Sequence, residues 1–145
     1  MIGIGNDHAG TELKLAIIKH LEEQGIEYID YGVAPGEAID YPDAAEKVCL
    51  DVQNGKLEKA ILVCGTGIGI SIAANKMKGI RACACSDTFS AKYTRLHNDA
   101  NALCLGGRVV GAGLACELVD IFLSTKFEGG RHQRRVDLIT ALENK

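Results

Sequence analysis

The chain of 145 residues contains no tryptophan, and only two of its residues are proline. No apolar run approaches the ~18 residues that a membrane-spanning helix needs, so we expect no membrane partner. The first residues show neither a basic segment nor a signal-type cleavage site, which favours a cytoplasmic location. The net charge is −3 and therefore gives no support for a nucleic-acid partner. With 47% hydrophobic residues, the chain fits one globular domain over residues 1–145.

The six cysteines lack both C-x-x-C spacing and a histidine in zinc-ligand register; they stand at positions 49, 64, 83, 85, 104 and 116. We therefore expect no metal and no cofactor. Five of them are expected to be small buried apolar residues in a reducing compartment. Cys64 is the exception because glycines follow it.

Apolar runs alternate with helical patterns along the chain. Strands are predicted at residues 2–6, 26–31, 60–64, 80–85 and 102–105. Helices are predicted around Leu13, Ile17 and Leu21, then at about 43–53, 68–77, 87–96, 111–124 and 131–143, with a loop over 32–42. This order predicts an α/β fold with a five-stranded parallel sheet, helices on both faces and an additional C-terminal helix. Ligands of such folds bind beyond the carboxyl ends of the strands.

The segment Ala60–Ser71 is the most informative part of the chain. An apolar strand ends at Cys64, and the chain turns through Gly65, Gly67 and Gly69 into a helical pattern. Such a turn presents backbone N–H groups to an anion, and a helix N-terminus favours the thiolate form of a nearby cysteine. The segment therefore offers a base or nucleophile beside a site for an oxyanion.

Two alternatives remain open for this turn. It is a poor dinucleotide fingerprint, because the sixth position of G-x-G-x-x-G holds Ile70 when the motif is read from Gly65, or Ile72 when it is read from Gly67. It could also be a tight turn with a purely structural role.

Three further groups are candidates for substrate contacts. Asp7 and His8 follow the first strand and could hold a hydroxyl or phosphate, although an Asp here is equally typical of a helix cap. His97 closes the fourth helix, on what we expect to be the ligand side of the sheet, either as a surface cap or as an acid for opening a sugar ring. Arg131 and Arg135 share a helix face that suits a phosphate dianion, the alternative being a solvated basic face.

The motifs resemble type B ribose-5-phosphate isomerase and its group, which includes galactose-6-phosphate isomerase. The matching segments follow the same order over almost the whole chain: Asn6-Asp-His-Ala-Gly10, Asp40-Tyr-Pro42, Cys64-Gly-Thr-Gly-Ile-Gly-Ile-Ser71, Ala74-Asn-Lys76, Gly79-Ile-Arg81, His97-Asn-Asp99, Gly106-Gly-Arg-Val-Val110 and Phe127-Glu-Gly-Gly-Arg-His-Gln-Arg-Arg135. The resemblance implies a Rossmann-like three-layer sandwich without a metal. It also implies a homodimer, with a tetramer as a further possibility.

The resemblance further implies a role for each matching residue in isomerising a sugar phosphate. Cys64 would be the base that moves a proton between C1 and C2, with the hydroxyl of Thr66 beside it. Asp7 and His97 would open the furanose ring. The substrate-binding set would be His8, Tyr41, Gly65, Gly67, Ile68, Gly69, Ile70, Asn98, Arg108, Arg131 and Arg135. The site would lie between subunits, with His97, Asn98 and Arg108 supplied by the neighbour.

Other functions compete with ribose 5-phosphate isomerisation. An isomerase of six-carbon sugars or their phosphates, such as allose or galactose 6-phosphate, would use the same residues. A nucleotide-binding α/β domain without catalysis is disfavoured by the missing third glycine. A thiol redox protein is disfavoured because no resolving cysteine stands near Cys64 in the sequence.

Overall fold

A computed structural model of the chain describes all residues from 1 to 145 and contains five strands and six α-helices. The strands are β1 (Ile2–Asn6), β2 (Tyr28–Asp30), β3 (Lys59–Cys64), β4 (Ala82–Ala84) and β5 (Ala102–Gly106). The helices are α1 (Thr11–Glu23), α2 (Tyr41–Gln53), α3 (Ile68–Asn75), α4 (Thr88–Asn98), α5 (Ala112–Ser124) and α6 (Arg131–Leu142). A 3-10 turn, His8–Gly10, precedes α1. None of these helices has the length and apolar character that crossing a bilayer requires.

The five strands form one fully parallel sheet in the order β2-β1-β3-β5-β4. β2 pairs with one side of β1, and β3 pairs with the other side of β1. A topological switch point therefore lies between β1 and β3, and the crevice beyond their carboxyl ends is where open α/β sheets bind ligands. Asp7 and Cys64 stand at these two strand ends.

Apolar side chains alternate along the central strands and create a core on each face of the sheet. Ile61 and Val63 point into the core that α1, α4 and α5 cover, whereas Leu62 and Cys64 point into the core beneath α2 and α3. The predicted three-layer sandwich is confirmed, and so is the additional C-terminal helix. Helix α6 lies outside the two layers and contacts α4, with its Val136 buried.

The predicted boundaries were wrong mainly at the edges of the sheet. β2 and β4 are each three residues long, shorter than the predicted 26–31 and 80–85, because an edge strand has a ladder partner on one side only. α2 begins at Tyr41 and includes Pro42, which the first turn of a helix tolerates because its N–H groups need no helical acceptor. α3 ends at Asn75, before the predicted 77. α4 runs beyond the predicted residue 96 to Asn98 and ends at Asp99 in the left-handed conformation.

Candidate active site

Three chain segments meet at the carboxyl edge of the sheet and are joined by backbone hydrogen bonds. The N–H of Asp7 donates to the carbonyl of Val63 at 3.1 Å. The N–H of Gly107 donates to the carbonyl of Cys64 at 2.7 Å, and that of Arg108 donates to the carbonyl of Gly65 at 3.0 Å. The segments after β1, β3 and β5 therefore hold one another in place around the switch point.

The glycine-rich turn places the sulfur of Cys64 against the start of α3. The N–H of Gly67 donates to Cys64 Sγ at 3.1 Å. Gly67 has φ +78°, and a β-carbon there would come within 2.9 Å of the backbone of Leu105. A side chain at this position would therefore be strained and crowded, which fixes glycine at the point where the chain enters the helix.

The first turn of α3 offers N–H groups that the helix itself does not use. Thr66 Oγ1 accepts the N–H of Ile68 at 3.2 Å. The N–H groups of Gly69 and Ile70 have no protein acceptor, as is usual in the first turn of a helix. These groups stand at the positive end of the helix dipole beside a thiol, so the turn can bind an anion next to a potential base.

Tyr41 and Arg108 lie beside this turn. A β-carbon on Gly69 would stand 2.9 Å from the ring of Tyr41, so the ring packs directly on the start of α3. A β-carbon on Gly65 would stand 3.5 Å from Nη1 of Arg108. The expectation that Arg108 comes from a neighbouring subunit is therefore wrong, because its guanidinium lies beside the Cys64 turn of its own chain.

Asp7 is buried and caps the 3-10 turn. Its Oδ1 accepts the N–H of Ala9 at 2.9 Å and that of Gly10 at 3.2 Å. The capping role considered from the sequence is thus present, and the other carboxylate oxygen makes no protein hydrogen bond. His8 is exposed and lines a surface cleft of about 570 Å³ with the 35–38 loop.

His97 lies at the opposite edge of the sheet from Cys64. Helix α4 leaves the carboxyl end of β4 and runs back for 11 residues towards the start of β5, a length of about 16 Å. The carbonyl of Asn98 accepts Nε of Arg81, which immediately precedes β4. The expectation that His97 ends α4 on the ligand side is therefore wrong for a single chain.

His97 belongs to a group that includes three residues to which the sequence analysis gave no role, His132, Glu128 and Tyr93. Its ring stacks on that of His132, with centroids 3.9 Å apart and planes 10° from parallel. Its Nε2 lies 3.6 Å from Glu128 Oε2, and its ring and that of Tyr93 are nearly perpendicular, with centroids 5.0 Å apart. Glu128 and His132 carried the only sequence signal for this group, since both lie within the Phe127–Arg135 motif that also holds the arginines.

His132 is almost completely buried, and its Nε2 has no hydrogen-bond partner. Burial, followed by the proximity of His97, lowers the pKa of His132 below its usual value, which disfavours the charged imidazolium. His97, Glu128 and His132 together place three potential metal-ligand atoms within 4.8 Å of one another. The sequence spacings gave no sign of this group, because His97 lies 31 residues before Glu128 and 35 residues before His132. The near-parallel rings do not converge on a common point as the ligands of a tetrahedral ion do.

Arg131 and Arg135 are exposed on the start of α6, beside His97 and not beside Cys64. Helix α6 is anchored there by the His97–His132 stack and by the bond from the N–H of Glu128 to the carbonyl of Leu96. The predicted site residues therefore fall into two half-sites. The thiol half-site contains Asp7, His8, Tyr41, Cys64, Gly65, Thr66, Gly67, Ile68, Gly69, Ile70 and Arg108. The histidine half-site contains His97, Asn98, Arg131 and Arg135.

Comparison with known proteins gives consistent matches over the whole chain. A family model described as Ribose/Galactose Isomerase matches residues 2–139. Ribose-5-phosphate isomerase B of Escherichia coli K12 is 52% identical over 144 residues, covering 99% of this chain and 97% of that protein. The structure of Clostridium thermocellum ribose-5-phosphate isomerase B matches with a TM-score of 0.96 at 50% identity, covering 99% of this chain and 97% of that one. The Mycoplasma genitalium enzyme with bound ribulose-5-phosphate matches with a TM-score of 0.92 at 41% identity, covering 99% of this chain and 96% of that one.

Proposed function

The chain belongs to the ribose/galactose isomerase family, and from this premise we propose that it interconverts ribose 5-phosphate and ribulose 5-phosphate. The observation that carries the proposal is the position of Cys64 Sγ at the N-terminus of α3, 3.1 Å from the amide nitrogen of Gly67. The relative from Mycoplasma genitalium, whose structure contains ribulose-5-phosphate, supports the choice of substrate.

Cys64 acts in this proposal as the base that carries a proton between C2 and C1 of the open-chain sugar. Removing the C2 proton of the aldose leaves an enediolate, whose negative oxygen needs donors that are already oriented. The amides of Gly69 and Ile70 meet that need, and an oriented donor of this kind contributes ~3–4 kcal/mol in other enzymes. The proton on O2 then moves to O1, and delivery of the carbon-bound proton from the base to C1 completes the ketose. No metal or other cofactor takes part in these steps.

Ring opening and phosphate binding require the histidine half-site, which the single chain keeps at the far edge of its sheet. We therefore infer a homodimer, or a tetramer built from dimers, in which this half-site of one subunit faces the thiol half-site of another. His97 and Asp7 then exchange the protons that open the furanose ring. Arg131 and Arg135 join His8 and Arg108 around the phosphate, so that binding energy at the unreactive end holds C1 and C2 at the thiol.

We infer that the chain is a single-domain enzyme and that it acts in the cytoplasm. The family match extends over nearly all of residues 1–145, which supports one isomerase domain. The six cysteines are all unpaired, as is typical of proteins in a reducing compartment.

The test is an isomerase assay across sugars of different length and charge, run with a chelator in the buffer. We expect the highest kcat/KM for ribose 5-phosphate, with lower values for free ribose and for allose or galactose 6-phosphate. A preference for a six-carbon substrate would replace the pentose assignment while leaving the reaction type intact. Absence of turnover on all of them, with a thermal shift by NAD and none by ribose 5-phosphate, would overturn the proposal in favour of a nucleotide-binding domain.

A further inference from the structure

Cys83 and Cys85 form a pair of thiols that the proposed isomerase chemistry does not use. Cys83 lies in the edge strand β4 and Cys85 is the first residue after it, and the Sγ atoms of the two are 3.5 Å apart. The structure records no other sulfur–sulfur contact of this kind among the six cysteines, all of which are unpaired. Both side chains pack against the core beneath α4 and α5.

The two cysteines differ in their exposure to solvent. Cys85 is buried, whereas Cys83 is half-buried and lines a surface cleft of about 560 Å³ between α4 and the end of α6. Thr94 and Ile139 lie in the wall of the same cleft. A small reagent in this cleft can therefore reach Cys83, whose sulfur contacts that of the buried Cys85.

The hydrogen bonding of the pair also makes the two sulfurs chemically unequal. The thiol of Cys85 donates to the sulfur of Cys83, which lowers the pKa of Cys83, although burial opposes the effect. The same bond raises the pKa of Cys85. The less buried cysteine is thus the one with more thiolate character, and the thiolate is the reactive form.

We propose that Cys83 and Cys85 are an oxidative modification site, at which a hydroperoxide converts the two thiols into an intrachain disulfide. The Cys83 thiolate attacks the terminal oxygen of the hydroperoxide, the O–O bond breaks, and a sulfenic acid remains on Cys83. The alkoxide that leaves takes up the proton that Cys83 had lost and becomes an alcohol. The Cys85 sulfur then attacks Cys83 Sγ, the S–O bond breaks, and water leaves with the proton of Cys85. In sum, two thiols lose two electrons and two protons, and the hydroperoxide is reduced to an alcohol and water.

The backbone makes this disulfide reversible. Residues i and i+2 of a strand are about 6.6 Å apart at the Cα atoms, near the upper limit for a disulfide. Cys85 is the first residue after β4, where its N–H still donates to the carbonyl of Cys104 at 3.2 Å. Forming the Cys83–Cys85 disulfide must bend this end of the strand. A disulfide formed under strain is more easily reduced than an unstrained one.

The other cysteines provide internal comparisons within the same molecule. Cys104 is fully buried, and burial raises its pKa. Burial likewise raises the pKa of Cys49 to about 12. Cys116 is partly exposed but has no partner sulfur. None of these three should form an intrachain disulfide in the folded protein.

Tryptic mapping can test the proposal directly. Cleavage after Arg81 and Lys92 releases residues 82–92, which contain Cys83 and Cys85, while each other cysteine falls in a separate peptide. The folded wild-type chain is treated with a low molar excess of hydrogen peroxide, and the free thiols are alkylated. The chain is then digested with trypsin, and the peptide masses are measured by mass spectrometry. We expect peptide 82–92 to lose the mass of two hydrogen atoms, to escape alkylation, and to regain both thiols after dithiothreitol.

Two variants serve as controls. Cys83→Ser should abolish the mass loss in peptide 82–92, whereas Cys116→Ser should leave it unchanged. The proposal would be overturned if Cys64 or Cys116 were oxidised first while both thiols of peptide 82–92 remained free and were alkylated. Irreversible oxidation of Cys83 to a sulfinic acid without a disulfide would overturn it too. A disulfide that forms as fast in urea as in the folded chain would also overturn the proposal. The measurement uses no sugar substrate, so its outcome is independent of the proposed isomerase activity.

Discussion

At the scale of single residues, the sulfur of Cys64 is the atom on which the proposed chemistry depends. We expect Cys64→Ala to lose most of the proton transfer, since a general base typically contributes ~10²–10⁴-fold. Binding of ribose 5-phosphate should persist because the amides and arginines remain. Rates are compared by isomerase assay and binding by calorimetry, with Cys116→Ala as the control that keeps turnover. A loss of only a few-fold in Cys64→Ala would remove this residue from the role of base.

Arg135 is expected to contact the phosphate and not the reacting carbons. Arg135→Ala should raise KM for ribose 5-phosphate by an amount equivalent to ~1.5–3 kcal/mol, the value of a charge-assisted hydrogen bond. Its effect on unphosphorylated ribose should be much smaller. Arg134→Ala is the matched control, because the neighbouring position points about 100° away around the helix. Equal damage to both kinds of substrate would indicate that Arg135 has a structural role.

His132 should make stability depend on pH. Because burial lowers its pKa in the folded chain from 6.5, the unfolded chain binds a proton more readily just below pH 6.5. The free energy of unfolding should therefore fall as pH decreases through 6.5 towards the lower folded value. His132→Phe keeps an aromatic ring against His97 and cannot be protonated, so its stability should fall less over this range. Urea unfolding at several pH values measures both curves, and parallel curves would contradict the assignment.

Local patterns predicted those residues whose position is set by their neighbours in sequence. Leu13, Ile17 and Leu21 recur at helical spacing and are buried as expected. The glycine-rich turn after Cys64 was likewise recognisable, because its glycines and the following helix lie within a few residues. His132 and Glu128 were missed because their contacts with His97 depend on how α6 packs on α4. No periodicity in the sequence carries that information.

At the scale of elements, the direction of each helix decides which edge of the sheet its residues reach. The order and type of the elements followed from the alternation of apolar runs. The position of His97 was misjudged because α4 runs antiparallel to the strands, which takes its last turn away from the edge that holds Cys64. In a parallel sheet, a helix that starts after one strand and ends before the next has its two ends on opposite edges of the sheet, and His97 stands at such a helix end.

The turn between β3 and α3 depends on Gly67 for two separate reasons. Gly67→Ala should lose ~1–3 kcal/mol of stability through strain at positive φ and contact with the backbone of Leu105. Gly55→Ala is a matched control, since Gly55 has the same φ of +78° with nothing within 4 Å of a β-carbon. We expect Gly55→Ala to be the milder change in urea unfolding, and Gly67→Ala alone to reduce kcat. Equal effects of the two variants would show that the crowding at Leu105 is unimportant.

At the scale of the whole molecule, the separation of the two half-sites gives the proposed dimer its strongest test. Cys64→Ala and His97→Asn should each be inactive as pure proteins. When the two are mixed, unfolded and refolded together, a heterodimer has one site with both changes and one with neither. Random pairing in a two-fold dimer then restores about a quarter of wild-type activity, measured as ribulose 5-phosphate formation, with each variant refolded alone as the control. If Cys64 and His97 instead acted within one chain, every site would carry one change and the mixture would stay inactive.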